Sequence, residues 1–139
     1  MNANITLIIL IFFSAIIVYF TDEPENIKIL KKKYVKFLKF LPKDLYNLQT
    51  RSIITGTTGR GDLGSNVNKG YEINICVDND VNSMFHVLLH ELAHCTVPEY
   101  EHSDQFWKNF NTLKSIAVAN NFYTPLEGDI DYCGKKIRD

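Results

Sequence analysis

Three hydrophobic patterns follow one another along residues 1–77. Residues 1–21 carry no charged side chain and are almost wholly apolar. From Pro24 to Leu41, apolar residues recur at helical spacing and lysines occupy the other face, which predicts an amphipathic helix that Pro42 ends. Residues 71–77 alternate apolar and mostly polar positions, which predicts a half-buried strand. Residues 50–55 are predicted as another strand.

The second half is dominated by helical periodicity. Apolar side chains cover most sides of a helix that follows a cap at residues 78–80, so this helix is predicted to be buried. Ser103 is the predicted cap of a second amphipathic helix that runs to about Asn120. Residues 56–70 contain five glycines and are predicted to form a mobile, turn-rich connection. Residues 123–139 are predicted to be irregular.

Two histidines lie one turn apart in the predicted buried helix. His90 and His94 are four residues apart with Glu91 between them, and a helix places residues at this spacing on one face. Two such rings can bind one Zn²⁺, and a glutamate between them can act as general base. Two hydrogen-bonded core histidines would leave a glutamate in so apolar a helix unexplained. The sequence therefore predicts a metal site with Zn²⁺ as cofactor.

A catalytic zinc site needs a third protein ligand and one open position. His102 is the leading candidate, because it precedes Ser103 in the turn between the two helices and can swing back to the ion. His86 is one turn before His90 but about 12 Å along the helix axis from His94, so it cannot share the ion. It is predicted to belong to the groove wall, the core or the surroundings of the ligands. Four carboxylates remain alternatives to His102: Glu99, Glu101, Asp104 and Glu127.

These residues resemble a known family. The segment His90–His94, with His102 and then Phe106 and Trp107, is similar to the WLM and SprT-like minigluzincin zinc metalloproteases, which include DNA–protein-crosslink proteases. The resemblance covers roughly residues 70–125. The gap between the second and third histidines is longer than in the WLM pattern and shorter than in SprT-like members, which leaves the subfamily open.

The resemblance implies an α+β, zincin-like domain with the metal-site helix packed on a short sheet, and peptide-bond hydrolysis. Glu91 would take a proton from the zinc-activated water and deliver one to the leaving amine. The predicted strand 71–77 would line the cleft and pair with extended substrate backbone. The residue that stabilises the oxyanion is not identifiable, and the tyrosines considered for it are Tyr100, Tyr123 and Tyr132.

The uncharged N-terminal run approaches the length needed to cross a bilayer. We predict a transmembrane anchor at residues 1–21 and a zinc metallopeptidase domain at residues 22–139, with a signal peptide as the alternative. The lysines between Lys28 and Lys39 predict that the domain lies on the cytoplasmic side. The odd number of cysteines, Cys76, Cys95 and Cys133, agrees with a reducing compartment, and all three are predicted to be ordinary thiols.

Charge narrows the predicted partners. Residues 72–131 carry ten acidic side chains and two lysines, which makes nucleic acid an unlikely partner and favours basic protein or peptide substrates. The lysine face of the helix at 24–41 is either a solvated surface or a contact with anionic lipid beside the anchor. Two functions stay open as alternatives: a catalytically silent, zinc-stabilised membrane-tethering module, and a zinc hydrolase of a non-peptide bond.

Overall fold

The computed structural model describes residues 2–43, 51–58, 61–78 and 80–139. These residues form helices and small sheets, which confirms the α+β class. The elements are α1 (Ala3–Thr21), α2 (Glu25–Phe37) with a 3₁₀ turn at Leu38–Phe40, β1 (Ile53–Thr57), β2 (Gly64–Val67), β3 (Glu72–Cys76), α3 (Val81–Cys95), α4 (Asp104–Ala119), β4 (Ile130–Tyr132) and β5 (Lys135–Ile137). Residues 50 and 79, which belong to a predicted strand and a predicted cap, lie outside the described part of the chain.

The predicted helix boundaries are close to the observed ones. Asp80 caps α3, where its carboxylate accepts hydrogen bonds from the backbone N–H groups of Asn82 and Ser83. Ser103 caps α4 by accepting from the N–H of Phe106. Both caps satisfy amides that a helix N-terminus leaves without a partner. They therefore fix where the two helices of the predicted metal site begin.

The core lies between α2, α3, α4 and one face of the sheet. α2 buries Ile27, Leu30, Tyr34 and Phe37, so its apolar stripe faces the domain interior. The rings of Phe37 and Phe85 meet edge to face with centroids 5.5 Å apart. A Cβ at Gly56 of β1 would lie 2.7 Å from a side-chain carbon of Ile27, which shows how closely α2 approaches the sheet. α2 is thus the first helix of the folded domain.

The three-stranded sheet corrects two expectations. Its order is β1-β3-β2, with β1 parallel and β2 antiparallel to β3. β3 therefore pairs on both sides, and its backbone groups are used, so the predicted pairing of this strand with substrate is wrong. β2 lies inside the predicted glycine-rich connection, where the short segment Gly64–Val67 offers little hydrophobic pattern. It forms an edge of the sheet.

The C-terminal region is a hairpin and not an irregular tail. β4 pairs with β5, and Cys133 in the turn between them forms a disulfide with Cys76 at the end of β3. The prediction that all three cysteines are thiols is therefore wrong for two of them, while Cys95 is free. The two bonded cysteines are 57 residues apart, and only the folding of the hairpin back onto β3 brings them together.

Within the described residues, α1 is the one helix that is long and apolar enough to cross a membrane. None of its residues is buried against the rest of the protein. An N-terminal signal sequence has the same length and composition, so this helix fits either prediction for residues 1–21.

Candidate active site

Three histidine rings converge at the exposed end of α3. His90 and His94 project from one face of the helix, and His102 reaches them from the connection between α3 and α4. The Nε2 atom of His102 lies 3.0 Å from that of His90 and 3.2 Å from that of His94. Three nitrogens bound tetrahedrally at about 2.0–2.1 Å from zinc would be about 3.3 Å apart. The donor set and its spacing therefore fit a zinc ion with one position left open.

The carboxylates considered as alternatives are not part of this cluster. The group of His, Cys, Asp and Glu side chains that could hold a metal among the described residues consists of the three histidines alone. Glu99 instead accepts a hydrogen bond from Ser103 at the start of α4. The structure thus brings His102, and not Glu99, to His90 and His94.

Phe106 forms the floor beneath the three rings. It is fully buried, and its ring centroid lies 5.0 Å from that of His90, 4.5 Å from that of His94 and 4.7 Å from that of His102. Trp107 packs beside His102 with centroids 5.5 Å apart and stays partly exposed. These contacts explain why Phe106 and Trp107 follow His102 at this spacing. The first turn of α4 places both aromatic rings against the imidazoles.

Burial favours the neutral forms of His90 and His94. Desolvation, and then the neighbouring His94 and His102, lower the pKa of His90 to about 4. Desolvation followed by His102 also lowers the pKa of His94. Metal binding requires neutral imidazole, so at neutral pH protons compete little for these two nitrogens.

Glu91 follows His90 on α3 and lines the same cavity as His90. It is 7% exposed, and burial, followed by the charge of Asp62, raises the pKa of its carboxyl to about 7. A Cβ at Gly64 of β2 would be 3.1 Å from Oε1 of Glu91. The edge strand therefore passes close to the carboxylate, and a side chain at position 64 would crowd Glu91. A carboxyl with a pKa near neutrality can both accept and return a proton.

Lys69 positions the segment that carries His102. Its ammonium group donates hydrogen bonds to the carbonyl oxygens of His94, Val97 and Glu99, at 3.3, 3.1 and 2.6 Å. It thereby satisfies carbonyls at and beyond the C-terminus of α3. Sequence reasoning missed this residue, because a lysine in a surface turn carries no signal of its contacts. Asn66 of β2 adds a second link by donating to the carbonyl oxygen of Glu91.

The remaining sequence candidates have other surroundings. His86 is buried and lies 3.0 Å from the hydroxyl of Tyr123, in the wall of a cavity next to His90. Tyr123 also donates to Asp139, and Tyr132 donates to the carbonyl oxygen of Cys76. Tyr100 is mostly exposed beneath the ammonium group of Lys69. These bonds give the two buried tyrosines structural partners.

Comparison with known proteins agrees with this geometry. Residues 57–124 match the WLM domain. The WLM-matching segment contains His90, Glu91, His94 and His102, so the resemblance predicted from the sequence is confirmed over it. α1, α2 and the β4–β5 hairpin lie outside the WLM-matching segment.

A viral protein is similar over part of the chain. An uncharacterized protein of Acanthamoeba polyphaga mimivirus is 37% identical in an alignment 81 residues long. The aligned part covers 51% of this chain and 41% of the viral protein. The similarity therefore covers less than half of the length of that relative. No solved structure matches the chain.

Proposed function

We propose that this chain is a membrane-anchored zinc metallopeptidase that hydrolyses peptide bonds, with His90, His94 and His102 as zinc ligands and Glu91 as general base. One observation carries the proposal: three imidazole nitrogens converge at α3, and the buried carboxyl of Glu91, next to His90 in the chain, lines the same open cavity as His90. The association of WLM domains with metallopeptidase activity supports it.

The chemistry divides between the ion and the protein. Bound Zn²⁺ supplies a Lewis acid that polarises the scissile carbonyl and acidifies water. Glu91 accepts a proton on its carboxylate as the nucleophile attacks and returns it to the leaving amine. Glu91 is 7% exposed, so its carboxylate is largely shielded from bulk water during both steps. Phe106 and Lys69 hold the ligands in place, and neither takes part in proton transfer.

The edge strand β2 supports a peptide substrate over other hydrolysable compounds. Gly64 and Leu63 line the cavity beside Glu91, and the side of β2 away from β3 has no strand partner among the described residues. An extended peptide can add to such an edge through backbone hydrogen bonds. We therefore assign the substrate-pairing role predicted for residues 71–77 to β2 instead.

Two features of the chain predict opposite sides of the membrane for the domain. The lysines of α2 predict the cytoplasm, whereas the Cys76–Cys133 disulfide favours an oxidising compartment. We give the disulfide more weight, because whole domains cross membranes largely regardless of charge. Either an anchor or a cleaved signal peptide at residues 1–21 is compatible with a domain on the oxidising side. Lipid contact by the lysine face and the absence of a nucleic-acid partner stay predictions.

A peptide-library assay tests the activity. The zinc-loaded full chain in detergent is expected to cleave peptides, and Glu91→Gln is expected to lower the rate by at least about 100-fold while retaining zinc, because the carboxylate is the proton acceptor. Cleavage is followed by mass spectrometry and zinc by elemental analysis. Equal cleavage by both proteins would show that Glu91 is not the general base, whereas one equivalent of zinc with no cleavage by either would favour the silent module or another substrate class.

The third ligand is tested by zinc affinity. His102→Ala is expected to weaken zinc binding by about 100-fold or more, because only two protein ligands remain. Glu101→Gln is the matched control in the same connection and should bind zinc like the unmodified chain. If the two variants bound zinc equally well, His102 would not be a ligand. Competition with a chromogenic chelator gives both affinities.

A further inference from the structure

A cavity of about 640 Å³ opens beside His90 and Glu91. Its size lies in the range of pockets that bind small ligands or single side chains. The apolar lining comes from four parts of the fold: Leu63 before β2, Val87 on α3, Trp107 and Phe110 on α4, and Ile137 on β5. A large apolar side chain would bury its surface here within reach of the reacting groups.

One wall of the cavity is formed by the C-terminal segment, residues 136–139. This segment lies beyond the WLM-matching segment. The Cys76–Cys133 disulfide ties its hairpin to β3. At the other end, the Asp139 carboxylate accepts hydrogen bonds from Tyr123, Lys114 and the backbone N–H of Leu126. The wall is thus held at both ends.

The cationic side chains that line the cavity differ in whether they form ion pairs. Lys114 pairs with Asp139 at 3.1 Å, and Lys136 pairs with Asp131 at 3.0 Å. Arg138 is exposed, and no ion pair to it is found among the described residues. The carboxylates that line the same cavity are Glu91 and Asp139, and the second of these already serves Lys114 and Tyr123. Among the described residues that line the cavity, Arg138 is therefore the cation without an ion-pair partner, and it is available to a ligand.

We infer that this cavity binds a large apolar side chain of the substrate next to the scissile bond, and that Arg138 selects an acidic residue beside it. The inference rests on the proposed peptidase function and names its substrate class. It reverses the preference for basic substrates predicted from the acidic composition of residues 72–131, because in physiological salt the nearest charges outweigh charges more than about 8 Å away.

Binding without turnover tests the pocket directly. The full chain carrying Glu91→Gln, in detergent and loaded with zinc, is titrated with three blocked peptides, Gly-Gly-Leu-Asp-Gly, Gly-Gly-Leu-Lys-Gly and Gly-Gly-Ala-Asp-Gly. Trp107 is the single tryptophan of the chain and lines the cavity, so its fluorescence reports occupancy. The Leu-Asp peptide is expected to bind about tenfold tighter than either of the others.

Charge reversal identifies the selecting residue. Adding Arg138→Glu should weaken the binding of the Leu-Asp peptide and strengthen the binding of the Leu-Lys peptide, each by about three- to tenfold. Lys135→Glu makes the same change of charge on the same hairpin but does not line the cavity, and it should leave the preference unchanged. An unchanged preference in the Arg138 variant, or equal binding of the Leu and Ala peptides, would overturn the inference.

The same peptides separate the two proposals. If the unmodified chain cleaves none of them while the Arg138-dependent preference in binding is present, the peptidase function fails and the pocket stands. If the chain cleaves them with the same preference before and after Arg138→Glu, the function stands and the pocket assignment fails.

Discussion

Glu91 is an acidic side chain in a helix that is otherwise almost wholly apolar on its buried side. Its space depends on Gly64, where a Cβ would lie 2.7 Å from a methyl carbon of Val87 and 3.1 Å from Oε1 of Glu91. Because β2 lies this close, water is kept away from the carboxylate, and the loss of hydration disfavours its charged form. The high pKa of Glu91 is therefore a consequence of how β2 crosses α3.

Removing this charge should stabilise the metal-free protein in a pH-dependent way. The pKa of Glu91 is raised from about 4.5 to about 7, so the unfolded chain releases this proton at lower pH than the folded one. The stability that the folded chain gains from holding this proton on Glu91 is therefore lost as pH rises from 4.5 to 7. At pH 8 with chelator, Glu91→Gln should raise the free energy of unfolding by about 3 kcal/mol, and at pH 4.5 by almost nothing.

Denaturant unfolding followed by Trp107 fluorescence measures this difference. The opposite effect of the lowered pKa of His90 is common to both proteins and cancels in the comparison. Glu101→Gln is the control, because Glu101 is exposed and its neutralisation should not change stability in this way. A difference between Glu91→Gln and the unmodified chain that does not vary with pH would contradict the burial argument.

At the scale of elements, the turn between β2 and β3 supports the connection between α3 and α4. Lys69 has a φ of 50°, a left-handed conformation that side chains other than glycine seldom adopt. In this conformation its ammonium group reaches three carbonyl oxygens around the end of α3. The connection that presents His102 is therefore held by a neighbouring hairpin as well as by the caps of its own helices.

Lys69→Met should loosen this connection while keeping the length of the side chain. We expect zinc affinity to fall by about tenfold, as for other residues that orient metal ligands, and stability to fall by about 1–3 kcal/mol. Lys108→Met on the exposed face of α4 is the matched control and should change neither. Equal zinc affinities for the two variants, measured by chelator competition, would show that Lys69 does not position His102.

At the scale of the whole molecule, the N-terminal helix and the Cys76–Cys133 disulfide both bear on which side of a membrane the domain lies. α1 makes no buried contact with the domain, whereas the disulfide joins the central strand to the hairpin that walls the cavity. A disulfide of this kind persists where thiols are not continually reduced. The wall of the proposed substrate pocket therefore depends on the compartment in which the domain folds.

Protease protection in sealed microsomes tests this topology. If the domain lies on the oxidising side, external protease should spare it, and alkylation before reduction should label Cys95 but not Cys76 or Cys133. A matched sample opened with detergent should be digested. Digestion of the sealed sample together with labelling of all three cysteines would restore the cytoplasmic orientation predicted from the lysines.

Local patterns were enough to predict the helices and the residues that form the candidate site. The period of apolar positions and the caps Asp80 and Ser103 act over one or two turns of chain, so the sequence displays them directly. The same holds for His90, Glu91 and His94, which share one helix. His102 was predictable because its connection is short. The single uncharged run at residues 1–21 also needs no tertiary context.

Contacts between distant segments were decided only by the tertiary structure. The pairing of β2 with β3, the Cys76–Cys133 disulfide and the cavity wall at residues 136–139 join parts of the chain whose sequences carry no mark of one another. Lys69 and Gly64 belong to the same class, since their roles depend on which helix passes beside them. Local propensity acts over a few residues, whereas these contacts form only when the packed core brings the segments together.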